Sequence, residues 1–175
     1  MTTLSARTNG ETQKGFLIGG WNIYSRSEIA QQYYDAANIL VEAIKRNQWE
    51  DFKLAYPVLY LYRHFLELML KAIIDSQTRN QHDIGELTSE VEALVQARYG
   101  QTLPYWIRTW LMEFAERDSR STAYRYGEYY DKSLKAWVSV AGEEHVELRN
   151  LQSAMEVTYS VLNRLLNDIR PPEQR

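Results

Sequence analysis

The 175-residue chain carries a net charge of −3, 45% apolar residues and no cysteine. Disulfides, thiolate catalysis and cysteine-type zinc sites are therefore excluded, and the acidic balance argues against a broad nucleic-acid surface. The length fits one domain with short extensions and enough apolar material for a core without metal staples.

Residues 1–15 are polar and aperiodic, and are expected to form a disordered tail. They lack the apolar stretch of a secretory signal, and no run reaches the roughly 18 apolar residues of a membrane span. The expectation is a cytoplasmic protein with no membrane contact. The domain itself is read as residues 16–170, with 171–175 as a second tail.

Phe16 to Tyr24 reads as an extended segment with a Gly19-Gly20 turn. Ser25 and Glu28 then form a capping box, and Tyr33, Ala37, Leu40, Val41 and Ile44 give a first helix its apolar face. A second helix starts near Asp51, passes Pro57 and runs to about Ser76. Asp83 caps a third, buried through Ile84, Leu87, Val91, Leu94 and Val95 and stopped by Gly100. Thr102 is the expected cap of a fourth, whose face is Leu103, Trp106, Ile107, Trp110, Leu111 and Phe114.

From Asp118 to Gly142 the helical period is lost. Lys135 to Val140 reads as a short strand, expected to pair with residues 16–24. Glu143 to Ile169 reads as a last long helix ended by Pro171-Pro172. Its residues Leu148, Leu151, Met155, Thr158, Leu162, Leu165 and Ile169 make a heptad-like seam, which serves either the bundle or a dimer. The sum is an all-α bundle of about five helices with one short β-hairpin.

The segment YPVLYLYRHFLELMLKAII, Tyr56 to Ile74, carries the chemistry. At about 100° per residue, Tyr56, Tyr60, Arg63, His64, Glu67 and Lys71 share one narrow stripe on an otherwise apolar helix. Arg63–Glu67 and Glu67–Lys71 are four apart, so their side chains meet. The stripe is either an ion ladder or the wall of a phosphate pocket, with Arg63, Lys71 and His64 facing the anion and Glu67 orienting the cations. His82 stands before the Asp83 cap and is either a packing residue or a general acid–base group. Tyr124-Arg125-Tyr126, in a segment read as non-helical, either tethers that segment or adds Arg125 to the stripe. His64, His82 and His145 are the only histidines and show no metal-ligand spacing. Neither a phosphate-cradling glycine loop nor a nucleophile elbow is present, and no cofactor or metal is implied.

The run YRHFLELMLKAI, followed by HDIGEL and later by an Arg-Tyr pair, resembles the HEPN-like helical domains. The matching positions are Arg63, Leu66, Glu67, Leu68, Leu70, Lys71, Ala72, then His82-Asp83-Ile84, then Arg125-Tyr126. The resemblance spans roughly residues 26–169. It implies a bundle of four to five helices, frequent homodimers, and work in RNA cleavage, toxin–antitoxin pairs or antiviral defence. Ribonuclease members carry an R-x4-6-H motif near the start of the last long helix. Here Arg149 is followed by no histidine at that spacing, and His145 precedes it.

The resemblance therefore implies an RNA-, nucleotide- or partner-binding component. The alternatives are a metal-independent ribonuclease using Arg63, His64, His82 and Arg125, and a structural subunit of a larger complex.

Overall fold

The computed structural model describes residues 24–75, 81–118, 123–139 and 145–170. These form α1 (Arg26–Lys45), α2 (Asp51–Ile74), α3 (Ile84–Tyr99), α4 (Tyr105–Arg117), the single turn α5 (Ala123–Tyr126), β1 (Glu128–Asp131), β2 (Ala136–Ser139) and α6 (Leu148–Ile169). The architecture is a mostly helical bundle with one small antiparallel hairpin. Residues 1–15, nearly all of 16–24, and 171–175 lie outside the described residues, as does most of the Ser76–Gln81 loop.

α2 is the hub. It makes its main contacts with α1, α3, α5 and α6, while α4 packs on α3. Val58, Tyr62, Phe65, Leu66, Met69, Leu70 and Ile73 are all buried and, with Arg63, Glu67 and Lys71, turn about two thirds of the circumference of α2 inward. Pro57 stands within the second turn, where it withholds the amide hydrogen that the Lys53 carbonyl would otherwise accept.

The helix ends follow local chemistry. The Ser25–Glu28 capping box closes both ways, with Ser25 N donating to Glu28 and Glu28 N donating to Ser25 Oγ. Asp83 accepts from Gly85 N at 2.7 Å and Glu86 N at 3.2 Å. Gly100, at φ +65°, ends α3 in the left-handed region.

Several expectations need correction. Thr102 does not cap α4. Pro104 occupies that position with no side-chain cap bond, and its carbonyl accepts from Ile107 and Arg108 N. α6 begins at Leu148, five residues after the expected start, because Glu147 accepts from Arg149 and Asn150 N and fixes the terminus there. β2 pairs with β1, Tyr130 opposite Trp137, which makes a hairpin within residues 128–139; the expected partner segment, residues 16–24, lies almost wholly outside the described residues. Arg125 sits in a helical turn and not in an irregular segment. Asp118 Oδ1 accepts from Ala123 N at 2.9 Å, and Gly127 at φ +68° closes the turn on Ala123 O.

The seam of α6 faces its own bundle. Leu151, Met155, Thr158, Leu162, Leu166 and Ile169 are buried there, with Leu166 in place of the expected Leu165. Leu166→Ala is expected to cost about 2–5 kcal/mol and Leu165→Ala clearly less, read as urea midpoints of the two variants.

Candidate functional site

The C-terminal half of the α2 stripe lies inside the protein. Arg63, Glu67 and Lys71 are almost wholly buried, together with Asp118 at the end of α4. A buried charge is tolerated only when paired and hydrogen-bonded. Arg63 meets that condition with every type of nitrogen it has. Its Nε donates to the Asp118 carbonyl at 3.1 Å and lies 3.3 Å from Asp118 Oδ2. Its Nη1 donates to Glu67 Oε2 at 3.2 Å, and its Nη2 donates to the His82 carbonyl at 2.8 Å.

Glu67 is the centre of the cluster. Its Oε1 accepts from Lys71 Nζ at 2.8 Å and lies 2.9 Å from His82 Nδ1. Burial acts to raise the Glu67 carboxyl pKa. The contacts with His64, Lys71 and His82 outweigh burial and hold it well below the ordinary carboxyl value. Glu67 is therefore ionised, and Lys71 already serves the same oxygen as a donor. It follows that His82 Nδ1 carries a hydrogen directed at Glu67 Oε1. The His82 side chain is about half exposed, at 49%. The result is a buried carboxylate orienting an outward-facing imidazole.

His64 is placed differently. Its Nδ1 is 3.9 Å from Glu67 Oε2, beyond hydrogen-bond reach, and has no hydrogen-bond partner. Its ring lies parallel to Tyr60, with centroids 5.8 Å apart, and receives the edge of Tyr33 at 4.4 Å. Arg125 is exposed, and its guanidinium carbon lies 5.4 Å from the Tyr60 ring centre. Tyr126 follows it in α5.

The expected residues thus divide into two groups. Arg63, Glu67, Lys71 and His82 converge on one network. His64 and Arg125 meet across Tyr60 beside it. The sequence reading omitted Asp118. The available signal was an acid just past a helix C-terminus, where the dipole disfavours it unless a cation is nearby. His145 and Arg149 are both exposed at the start of α6. Among the described residues no group of three or more potential ligands could hold a metal, and no helix is long and apolar enough to cross a membrane.

Compared with family models, curated proteins and solved structures, the chain shows no significant match to any of the three.

Glu67 gives a clear dependence on pH. A carboxyl whose folded pKa is depressed contributes stability that is complete above its unfolded value, here ordinarily 4.5. That stability is lost as pH falls through and below this value, because the unfolded chain then binds the extra proton. Thermal midpoints of the parent should fall on acidification below about pH 5, and the fall should be shallower in Glu67→Gln. Glu67→Ala at neutral pH should cost about 3–5 kcal/mol, because it takes from buried Lys71 the carboxylate it is paired with and from Arg63 one of its two.

Proposed function

We propose that this chain is a HEPN-like helical domain working as a binding component of a prokaryotic defence or toxin–antitoxin type system. In this reading it engages RNA, a nucleotide or a partner protein, and acts as a homodimer or within a larger complex. One observation carries the preference for binding over catalysis. Arg63 is fully buried, and its Nε, Nη1 and Nη2 are all directed at Glu67, Asp118 and a backbone carbonyl. A guanidinium engaged in that way is not aimed at the charge of a phosphoryl transition state. The missing histidine after Arg149 supports the same preference.

A second reading, a metal-independent ribonuclease, is favoured by the Glu67–His82 pair. An imidazole held through Nδ1 by an ionised carboxylate presents Nε2 as a base, the arrangement general acid–base catalysis requires. In this reading His82 would take the proton of an RNA 2′-hydroxyl, and Arg125 would be the accessible cation.

Purified protein incubated with total RNA and with tRNA in EDTA, beside His64→Ala/His82→Ala, separates the two. The binding reading expects no cleavage by either protein and a retarded RNA or a co-purifying partner. Cleavage by the parent that disappears in the double variant would overturn it in favour of the ribonuclease. Cleavage of equal strength in both would remove His64 and His82 from any such role.

A further inference from the structure

α1 carries a second ordered face besides the one its place in the bundle needs. The inner face is Ala30, Tyr34, Ala37, Val41 and Ile44, all buried. Farther round the helix, Ile29, Gln32, Ala36, Ile39 and Ala43 follow one another at intervals of three, four, three and four residues. That is the spacing of a coiled-coil seam, here about 21 Å long. At about 100° per residue its centre lies about 140° from that of the inner face. Ile39 is 68% exposed and Ile29 is 36% exposed. Gln32 is exposed and Ala36 and Ala43 are partly exposed, so the described residues leave this side open.

Acidic residues line one flank of the seam. Glu28, Asp35 and Glu42 recur seven residues apart, each just before a seam residue. α6 runs past this flank, where Gln152 donates to Glu42 at 3.2 Å. It brings Glu156 with it. Burial first, and then the charges of Glu156 and Asp35 among others, hold the Tyr34 hydroxyl above its ordinary value, so both carboxylates stand near that ring. At the C-terminal end Glu42 is held by Lys45 at 2.7 Å and approached by Arg46 at 3.9 Å. Asp35 accepts only from the neutral amide of Gln31, at 2.8 Å, and neither it nor Glu156 is in an ion pair among the described residues. The middle of the flank therefore keeps its negative charge.

That charge decides what suits the seam. It repels a phosphate backbone, so this side is not a nucleic-acid surface. A second copy of α1 fits poorly in either direction. Antiparallel pairing would set Ile39 of each copy against Ala36 of the other, but it would also bring Asp35 of each against Glu42 of the other. Parallel pairing would turn the acids toward Tyr33 and Leu40, which offer no charge. A helix with lysine or arginine along its flank meets both the seam and the acids, since flank charges set partner choice and orientation. We propose that the outer face of α1 docks an amphipathic helix of a partner protein, apolar along its own seam and basic along the flank that meets Asp35 and Glu156. The proposal rests on the partner-binding arm of the function proposed above. Ala36 and Ala43 let that helix come close, Ile29 and Ile39 are the knobs, and Gln32 is the polar seam position that sets register.

The probe is a fluorescein-labelled synthetic peptide of about four heptads, with isoleucine and leucine along the seam and lysine along both flanks. A twin peptide carries glutamate in place of each lysine. Both are titrated with the full chain and followed by anisotropy. At about 50 mM salt the parent should bind the lysine peptide at least about tenfold more tightly than the twin, and the preference should shrink at about 500 mM. Ile39→Asp should weaken the lysine peptide by roughly tenfold or more, although it adds negative charge. Asp35→Asn should weaken it by about two- to fivefold, the worth of one exposed ion pair. Tyr105→Asp, at an exposed site on α4, should leave it unchanged. Ile39 and Asp35 are exposed, so their variants should keep the parental circular dichroism and melting curve.

Lysine-peptide binding that survives in Ile39→Asp would overturn the seam, since charge alone would then explain it. Equal binding of the two peptides would overturn the basic partner. No binding of the lysine peptide by the parent would overturn the face outright. Sedimentation that shows a parental dimer dissociating in Ile39→Asp would reassign the face to a second copy and overturn the proposal as well. A partner that co-purifies equally with the parent and with Ile39→Asp would leave the proposed function standing and remove α1 as its surface.

Discussion

Burial of Arg63 is the constraint around which the other elements are arranged. A guanidinium cannot leave water unless its donors find acceptors, and here the acceptors come from three places along the chain. Glu67 is one turn away on α2, His82 lends its carbonyl from just before α3, and Asp118 lends carbonyl and carboxylate from the end of α4. α4 packs chiefly on α3, so the Arg63–Asp118 contact ties the far end of the α3–α4 pair directly to the hub helix. Asp118 then passes the constraint on, because its other oxygen accepts from Ala123 N and starts α5. One cation therefore positions the beginning of α3, the end of α4 and the beginning of α5.

The network has two cations, Arg63 and Lys71, and two carboxylates, Glu67 and Asp118. Such a cluster need not add stability over an apolar core of the same shape, since desolvation offsets much of the attraction. What it does set is geometry. A slip of α3 or α4 along α2 would leave a charge unmatched, a far larger penalty than a slip between leucines. The same geometry fixes His82. Its backbone is held by Arg63 and its ring by Glu67, while Asp83 closes the next turn on Gly85 and Glu86. An exposed histidine with both ends held points in one direction, whatever it meets there.

Most of the bundle was legible because its signals are local. The Ser25–Glu28 box, the Asp83 cap, the Gly100 stop and the 3.6 periodicity of α1 to α4 need only neighbours in sequence to be read. The failures lie where a partner is distant or a competing group wins. Thr102 looks like a cap, yet Pro104 two residues on sets the terminus. Tyr34 is buried although Tyr33 looked like the core residue, because it stacks on Tyr159 from α6. α5 has no periodicity of its own and exists because Asp118 and Gly127 bracket it. The stripe on α2 was visible in full, but whether it is open or closed was not. That depends on His82 and Asp118, which are 19 and 55 residues from Arg63.

The stripe itself is continuous in sequence and divided in space. At about 100° per residue, Tyr56, Glu67, Tyr60 and Lys71 interleave on the same side of the helix, so angle does not separate them. Height along the axis does. The C-terminal half lies under the start of α3 and the end of α4, and there the residues are Arg, Glu and Lys, which can satisfy one another in the dry. Among the described residues, the N-terminal half has the single turn α5 and Gly127 beside it, and there the residues are Phe and Tyr; Tyr tolerates half-exposure because it joins an apolar ring to a polar hydroxyl. His64 sits at the join. One side of it approaches the Glu67 carboxylate at 3.9 Å, and the other stacks on Tyr60.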